Sequence, residues 1–83
     1  MKAIKKPIPV EVFPLTQDTT TFPTWLSDAV RMGIVLLGSS VRIRTLEGSM
    51  YAEYGDYIVL GVKGELYSIK KGIFEETYDI VKD

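Results

Sequence analysis

The sequence predicts an α+β fold, a mostly antiparallel, curled or barrel-like sheet with one short helix packed on it. Apolar and polar residues alternate in several short segments, and glycines separate these segments. Only one stretch, which follows Pro23, carries apolar residues at helical spacing. With 83 residues, 46% of them hydrophobic, the chain is expected to form a single small globular domain over residues 1–83.

The first part of the chain predicts an edge strand, a loop and the helix. In residues 4–15, apolar residues recur at period two between prolines, which forbid a helix and limit backbone pairing. Residues 16–21 are polar and indicate a surface loop, and either Thr21 or Thr24 is a candidate cap for the helix that follows. Gly33 suits the left-handed position at which a helix ends.

The rest of the chain predicts short strands joined by tight turns. Residues 71–76 are expected to form one helical turn, and residues 78–81 a last strand that pairs with the first. A tight hairpin at Lys63 and Gly64 is expected to join two of the strands. The other predicted strands cover residues 34–37, 41–46, 50–53, 57–62 and 65–69. In residues 41–46 the alternation predicts a half-buried strand whose solvent side carries Arg42 and Arg44.

Composition removes several classes of function. The chain has no cysteine and no histidine, so disulfides, thiolate metal sites and the commonest general base are excluded. Its formal net charge of -1 disfavours non-specific binding of nucleic acid. The amino end lacks the apolar stretch of a signal peptide, and no apolar run is long enough to cross a membrane. We therefore expect a cytoplasmic protein with no membrane contact, no metal and no cofactor.

Four motifs place the chain beside a known group of proteins. They are Lys-Lys-Pro at residues 5–7, Thr-Leu-Glu-Gly at residues 45–48, Gly-Asp-Tyr-Ile-x-x-Gly-Val-x-Gly-Glu-x-Tyr at residues 55–67 and Ile-Phe-x-x-Thr-Tyr at residues 73–78. Together they resemble the signature of a family of short, mostly uncharacterised bacteriophage and prophage proteins. The resemblance implies the cytoplasm of a bacterial host and supplies no catalytic residues. Tyr54 departs from the family, which usually has proline there.

Two groups of side chains are candidates for a site. Tyrosines at positions 51, 57 and 67 accompany cations at positions 42, 44 and 63, a mixture that can stack bases and hold phosphates. Tyrosine is also a favoured strand residue that needs no ligand. Asp56 and Glu65 stand at opposite ends of a predicted hairpin and could pair as carboxylates for acid–base or metal chemistry. Alternatively, Asp56 caps a turn and Glu65 forms an ion pair with a nearby cation.

These observations favour a non-enzymatic phage or prophage accessory protein that binds another protein or associates with itself as a homo-oligomer. The first alternative is a protein that binds or sequesters a small ligand such as a nucleotide signal. The second, less favoured alternative is a binder of single-stranded nucleic acid. No catalytic or metal-binding residue is predicted. The candidate residues for binding a ligand or partner are Arg42, Arg44, Tyr51, Asp56, Tyr57, Lys63, Glu65 and Tyr67.

Overall fold

The computed structural model describes residues 1–81 and confirms the α+β class. All pairings between its strands are antiparallel. A 3₁₀ helix, Thr19–Thr21, precedes the first of two α-helices. In chain order, the strands and α-helices are Glu11–Pro14 (β1), Thr24–Arg31 (α1), Val35–Leu36 (β2), Val41–Thr45 (β3), Gly48–Ala52 (β4), Tyr57–Leu60 (β5), Leu66–Ile69 (β6) and Lys71–Thr77 (α2).

The strands form two separate three-stranded sheets. The first sheet has the order β1-β5-β6 and the second has the order β2-β3-β4. Strand β6 lies close to β3 and β4, but no ladder of hydrogen bonds joins the two sheets within residues 1–81. The described part of the chain therefore forms no closed barrel, and the barrel-like form predicted from the sequence is not confirmed.

The core lies where α1 and the inward sides of the two sheets meet. Leu26 of α1, Ile43 of β3 and Ile58 of β5 are completely buried there. They pack in one cluster with further buried residues, which are Leu15, Ala29, Val35, Val41 and Ala52. Removing these side chains from water is the main favourable term in folding, at roughly 25 cal/mol for each Å² of apolar surface.

The predicted end of α1 is confirmed, and its predicted caps are wrong. Gly33 has φ 76°, a left-handed conformation that costs glycine little because it has no Cβ. The residue preceding α1 is Pro23, which makes no capping hydrogen bond with its side chain. Thr21 belongs to the 3₁₀ helix and Thr24 is already the first residue of α1, so neither caps the helix.

Three further sequence expectations need correction. The first strand begins only at Glu11, because Pro7 and Pro9 lack the N–H groups that a ladder needs. Residues 71–77 form a complete second helix, where the sequence predicted a single helical turn and one helix in total. Residues 78–81 belong to no strand, so they do not pair with β1 as expected.

Candidate functional site

The solvent side of the second sheet carries three of the predicted binding residues. Alternation along β3 buries Val41 and Ile43 and leaves both arginines of the strand exposed, as the sequence predicted. On β4, Tyr51 shares this side and is 64% exposed. Leu36 of β2 and Ser49 of β4 pair with these arginines and lie on the same side of the sheet. We call the five side chains the arginine–tyrosine face, which consists of Leu36, Arg42, Arg44, Ser49 and Tyr51.

The register of the sheet makes Arg42 the centre of this face. Arg42 lies opposite Leu36 of β2 on one side and opposite Tyr51 of β4 on the other. Directly opposed side chains have Cβ atoms about 5 Å apart, so an aliphatic, a cationic and an aromatic group form one continuous row. The ion pairs found within residues 1–81 include neither Arg42 nor Arg44. Both guanidinium groups are therefore available to a partner.

The Thr-Leu-Glu-Gly motif fixes the register of β3 against β4. The Thr45 hydroxyl donates a hydrogen bond to the Gly48 carbonyl and accepts one from the Glu47 amide at 3.2 Å. Gly48 has φ 119°, a conformation that residues with a Cβ rarely adopt. The turn exposes Leu46 completely at the tip of the hairpin. The motif thus has a local structural role that also places Arg42 opposite Tyr51.

A groove of about 940 Å³ separates the β3–β4 hairpin from the β5–β6 hairpin. Arg44, Lys63 and Tyr67 line it, so two predicted cations and one predicted tyrosine do share a concave surface. Glu47 and Glu65 line the same groove and balance the two positive charges. We call this concavity the hairpin groove.

Tyr57 does not line that groove, because it packs against α2. Its ring stacks on Phe74 with centroids 3.8 Å apart and an angle of 13° between the planes. On its other side Phe74 stacks on Tyr78, with centroids 4.9 Å apart. Phe74 is only 3% exposed. The three rings attach α2 to the first sheet, and this gives Tyr57 a structural role.

Tyr67 lies next to the last ring of that stack. Burial, contact with the Tyr78 hydroxyl and the negative charge of Glu65 together raise the pKa of Tyr67 from 10.0 to about 12. Each of these effects disfavours the phenolate. Tyr67 is therefore neutral at physiological pH, and its hydroxyl is held by that of Tyr78 at the wall of the hairpin groove.

Asp56 is the only buried charged residue of the described chain, and its partners belong to the fold. Its Oδ2 accepts hydrogen bonds from the Glu53 amide at 2.9 Å and from Lys70 Nζ at 3.0 Å. Burial alone would raise the pKa of Asp56, but these hydrogen bonds and the charge of Lys70 outweigh it and lower the pKa. The hydrogen bond to Asp56 is the main cause of the raised pKa of Lys70. The carboxylate holds the turn before β5 against the start of α2.

The predicted carboxylate pair does not form. In the β5–β6 register, Glu65 lies beside Gly61, five residues along the chain from Asp56. This separation is roughly 16 Å along a strand. Glu65 also makes no ion pair within residues 1–81. In the same residues no three side chains of His, Cys, Asp or Glu are grouped so that they could hold a metal ion.

The eight predicted residues thus fall into three places instead of one site. Arg44 is shared between the first two places because it lies where β3 meets the hairpin groove. The arginine–tyrosine face has Arg42, Arg44 and Tyr51, and the hairpin groove has Arg44, Lys63, Glu65 and Tyr67. Asp56 and Tyr57 lie apart from both, at the start of β5.

Two exposed leucines depart from what the sequence predicts, and one of them, Leu36, lies beside Arg42. The apolar run at residues 34–37 predicts a buried strand, yet Leu36 and Leu37 are each 37% exposed and only Val35 is completely buried. The all-apolar run carries no alternation that signals this; Leu36 faces solvent because it pairs with the exposed Arg42. Leu46, which the sequence places in the strand over residues 41–46, lies beyond the end of β3 in the hairpin turn and is fully exposed.

No protein-family model, curated protein or solved structure matches this chain. The helices within residues 1–81 are all too short or too polar to span a bilayer.

Proposed function

We propose that this protein acts by binding another protein through the arginine–tyrosine face. The observation that carries the proposal is the exposed row of Leu36, Arg42 and Tyr51 across three adjacent strands. Tyrosine and arginine are enriched at the centres of protein interfaces, where they supply most of the binding energy. The strands already fix the backbone of this row, so little backbone conformational freedom is lost when a partner binds.

Charge favours a protein partner over a nucleic acid. The face has two cations, and the whole chain has a net charge of -1. Binding to a phosphate backbone depends on releasing many counterions, which two arginines do poorly. The resemblance to phage and prophage proteins makes a bacterial host protein, or a second copy of this chain, the expected partner. A non-enzymatic role belongs to the proposal, because the chain lacks histidine and cysteine and its candidate carboxylates are far apart.

Affinity capture from the bacterium that carries the gene tests this proposal. The test variant is Arg42→Glu/Tyr51→Ala, which removes the cation and the aromatic ring of the row. The control variant is Arg31→Glu/Met32→Ala, which removes the exposed cation that ends α1, where it pairs with Asp28, and the exposed apolar side chain that follows it. We expect a protein that the wild type and the control retain and the test variant loses. If retention is the same for all three chains, the face is not the interface.

The hairpin groove supports a second candidate function, the binding of a small anionic ligand. Arg44 and Lys63 line one concavity and can donate hydrogen bonds to phosphate oxygens, against the opposing charge of Glu47 and Glu65 in the same groove. Titration calorimetry with ATP, and with inorganic phosphate as a second probe, measures this directly. Binding that disappears in Lys63→Ala supports the candidate. The absence of heat with both probes counts against a phosphate site in this groove.

A further inference from the structure

The chain begins with an exposed basic segment. Residues 1–10 belong to no helix or strand, and the first nine of them are exposed. We call them the amino-terminal arm. The arm has three lysines and no acidic residue. Its apolar side chains also face solvent, with Ile4 95% and Ile8 54% exposed. It therefore presents apolar surface and positive charge together.

Residues 73–81 have the opposite charge with the same mixture of exposed apolar groups. We call them the acidic segment. Glu75, Glu76 and Asp79 are its charged residues, and no cation lies among them. Its exposed apolar side chains are Ile73, Ile80 and Val81, which are 56%, 67% and 72% exposed. Two of these three, Ile80 and Val81, are consecutive, so the segment offers exposed apolar surface beside its negative charge.

The two segments do not neutralise each other within one chain. No ion pair joins the arm to the acidic segment within residues 1–81. Instead, the second half of the arm runs beside the β5–β6 hairpin, where Lys5, Lys6 and Ile8 line a small cleft with Val62 and a single carboxylate, Glu65. The backbone of the acidic segment is open to a new neighbour, since Tyr78 is extended at φ -124° and ψ 145° and residues 78–81 have no strand partner.

We infer that the amino-terminal arm of one copy docks on the acidic segment of a second copy, and that the exchange is mutual. Three lysines of each arm would face three carboxylates of the other chain, and the exposed isoleucines would cover one another. A two-fold dimer makes this contact twice, which doubles its effect on stability. The residues before Pro7 retain their backbone N–H groups, so this part of the arm can add as a strand beside residues 78–81 of the other copy. The inference goes beyond the proposed function because it uses none of the residues of the arginine–tyrosine face.

Paired charge reversals test this inference. The arm variant is Lys5→Glu/Lys6→Glu, and the segment variant is Glu75→Lys/Glu76→Lys. Each reverses the sign of its own segment, so either chain alone places like charges at both contacts. In an equal mixture of the two variants, both contacts of a mixed dimer again join opposite charges. Native mass spectrometry and sedimentation velocity at low salt give the mass, and circular dichroism checks that each variant folds.

The wild type is expected at twice its chain mass of 9.3 kDa. Each variant alone should raise the dimer dissociation constant at least about tenfold, because several exposed ion pairs change from attractive to repulsive. Mixing the two variants should restore the dimer, and added salt should weaken the wild-type dimer. A wild type that is monomeric throughout a dilution series overturns the inference. A dimer that tolerates either reversal, or a mixture that stays monomeric, also overturns it.

Discussion

Replacing Phe74 with alanine should detach α2 and cost a large share of the stability of the fold. Phe74 is 3% exposed and is stacked between Tyr57 and Tyr78. Large-to-small changes of a buried phenylalanine cost about 3–5 kcal/mol, to which aromatic stacking contributes about 1 kcal/mol. We expect a loss near the lower end, about 3 kcal/mol, because Tyr78 is only half-buried and can relax. A domain of this size has about 4–12 kcal/mol in total, so Phe74→Ala should remove between about a quarter and three quarters of its stability.

Urea denaturation followed by the fluorescence of Trp25, the single tryptophan, measures this loss. The matched control is Ile73→Ala, which shortens the neighbouring side chain of the same helix at 56% exposure. The control should change the free energy of unfolding by no more than about 0.5 kcal/mol. Equal losses in the two variants would refute the role assigned to the aromatic stack, as would a loss below about 1 kcal/mol for Phe74→Ala.

Three further predictions concern charge and backbone. Because the folded chain lowers the pKa of Asp56 below 3.8, its stabilisation is present above that pH and is lost as pH falls through the folded value. Asp56→Asn should lower the free energy of unfolding by about 1–2 kcal/mol at neutral pH. When the urea midpoint is measured at several pH values, the variant should lose less stability at acid pH than the wild type does. Tyr67 should ionise near pH 12, so its contribution to stability should be complete below pH 10.0 and lost as the pH rises through about 12. The ultraviolet absorbance titration of the wild type minus that of Tyr67→Phe measures this, and a difference midpoint near 10.0 would contradict the environment of Tyr67. Thermal melts should show Gly33→Ala destabilised by about 1 kcal/mol because φ is 76°, and Gly72→Ala, in open space within α2, stabilised by a similar amount.

Local sequence signals predicted the parts of the fold that depend on neighbouring residues. Alternation along β3 identified which side chains face water, and Gly33 marked the end of α1. The β5–β6 hairpin was also predicted, although both strands are shorter than expected. Residues 61–65 form the connection between them. Each of these features follows from a few adjacent residues and the period of a strand or helix.

Features that depend on distant contacts were not predictable in the same way. The helix α2 is short and contains a glycine, so its own propensity is weak and the packing of Phe74 on Tyr57 stabilises it. The same contact removes Tyr57 from the candidate site, which no periodicity could indicate. The position of Arg42 between Leu36 and Tyr51 needed the register of three strands, which a sequence pattern only partly specifies.

Photo-crosslinking at position 51 tests the proposed function most directly. A benzophenone amino acid replaces Tyr51, which keeps an aromatic side chain at the exposed end of the row. The control carries the same group at Met32, which is 69% exposed and lies next to α1. After irradiation of living bacterial cells, mass spectrometry should find a protein joined at position 51 and absent from position 32. Adducts that are the same at both positions, or a nucleic acid joined at position 51, would contradict protein binding through the arginine–tyrosine face.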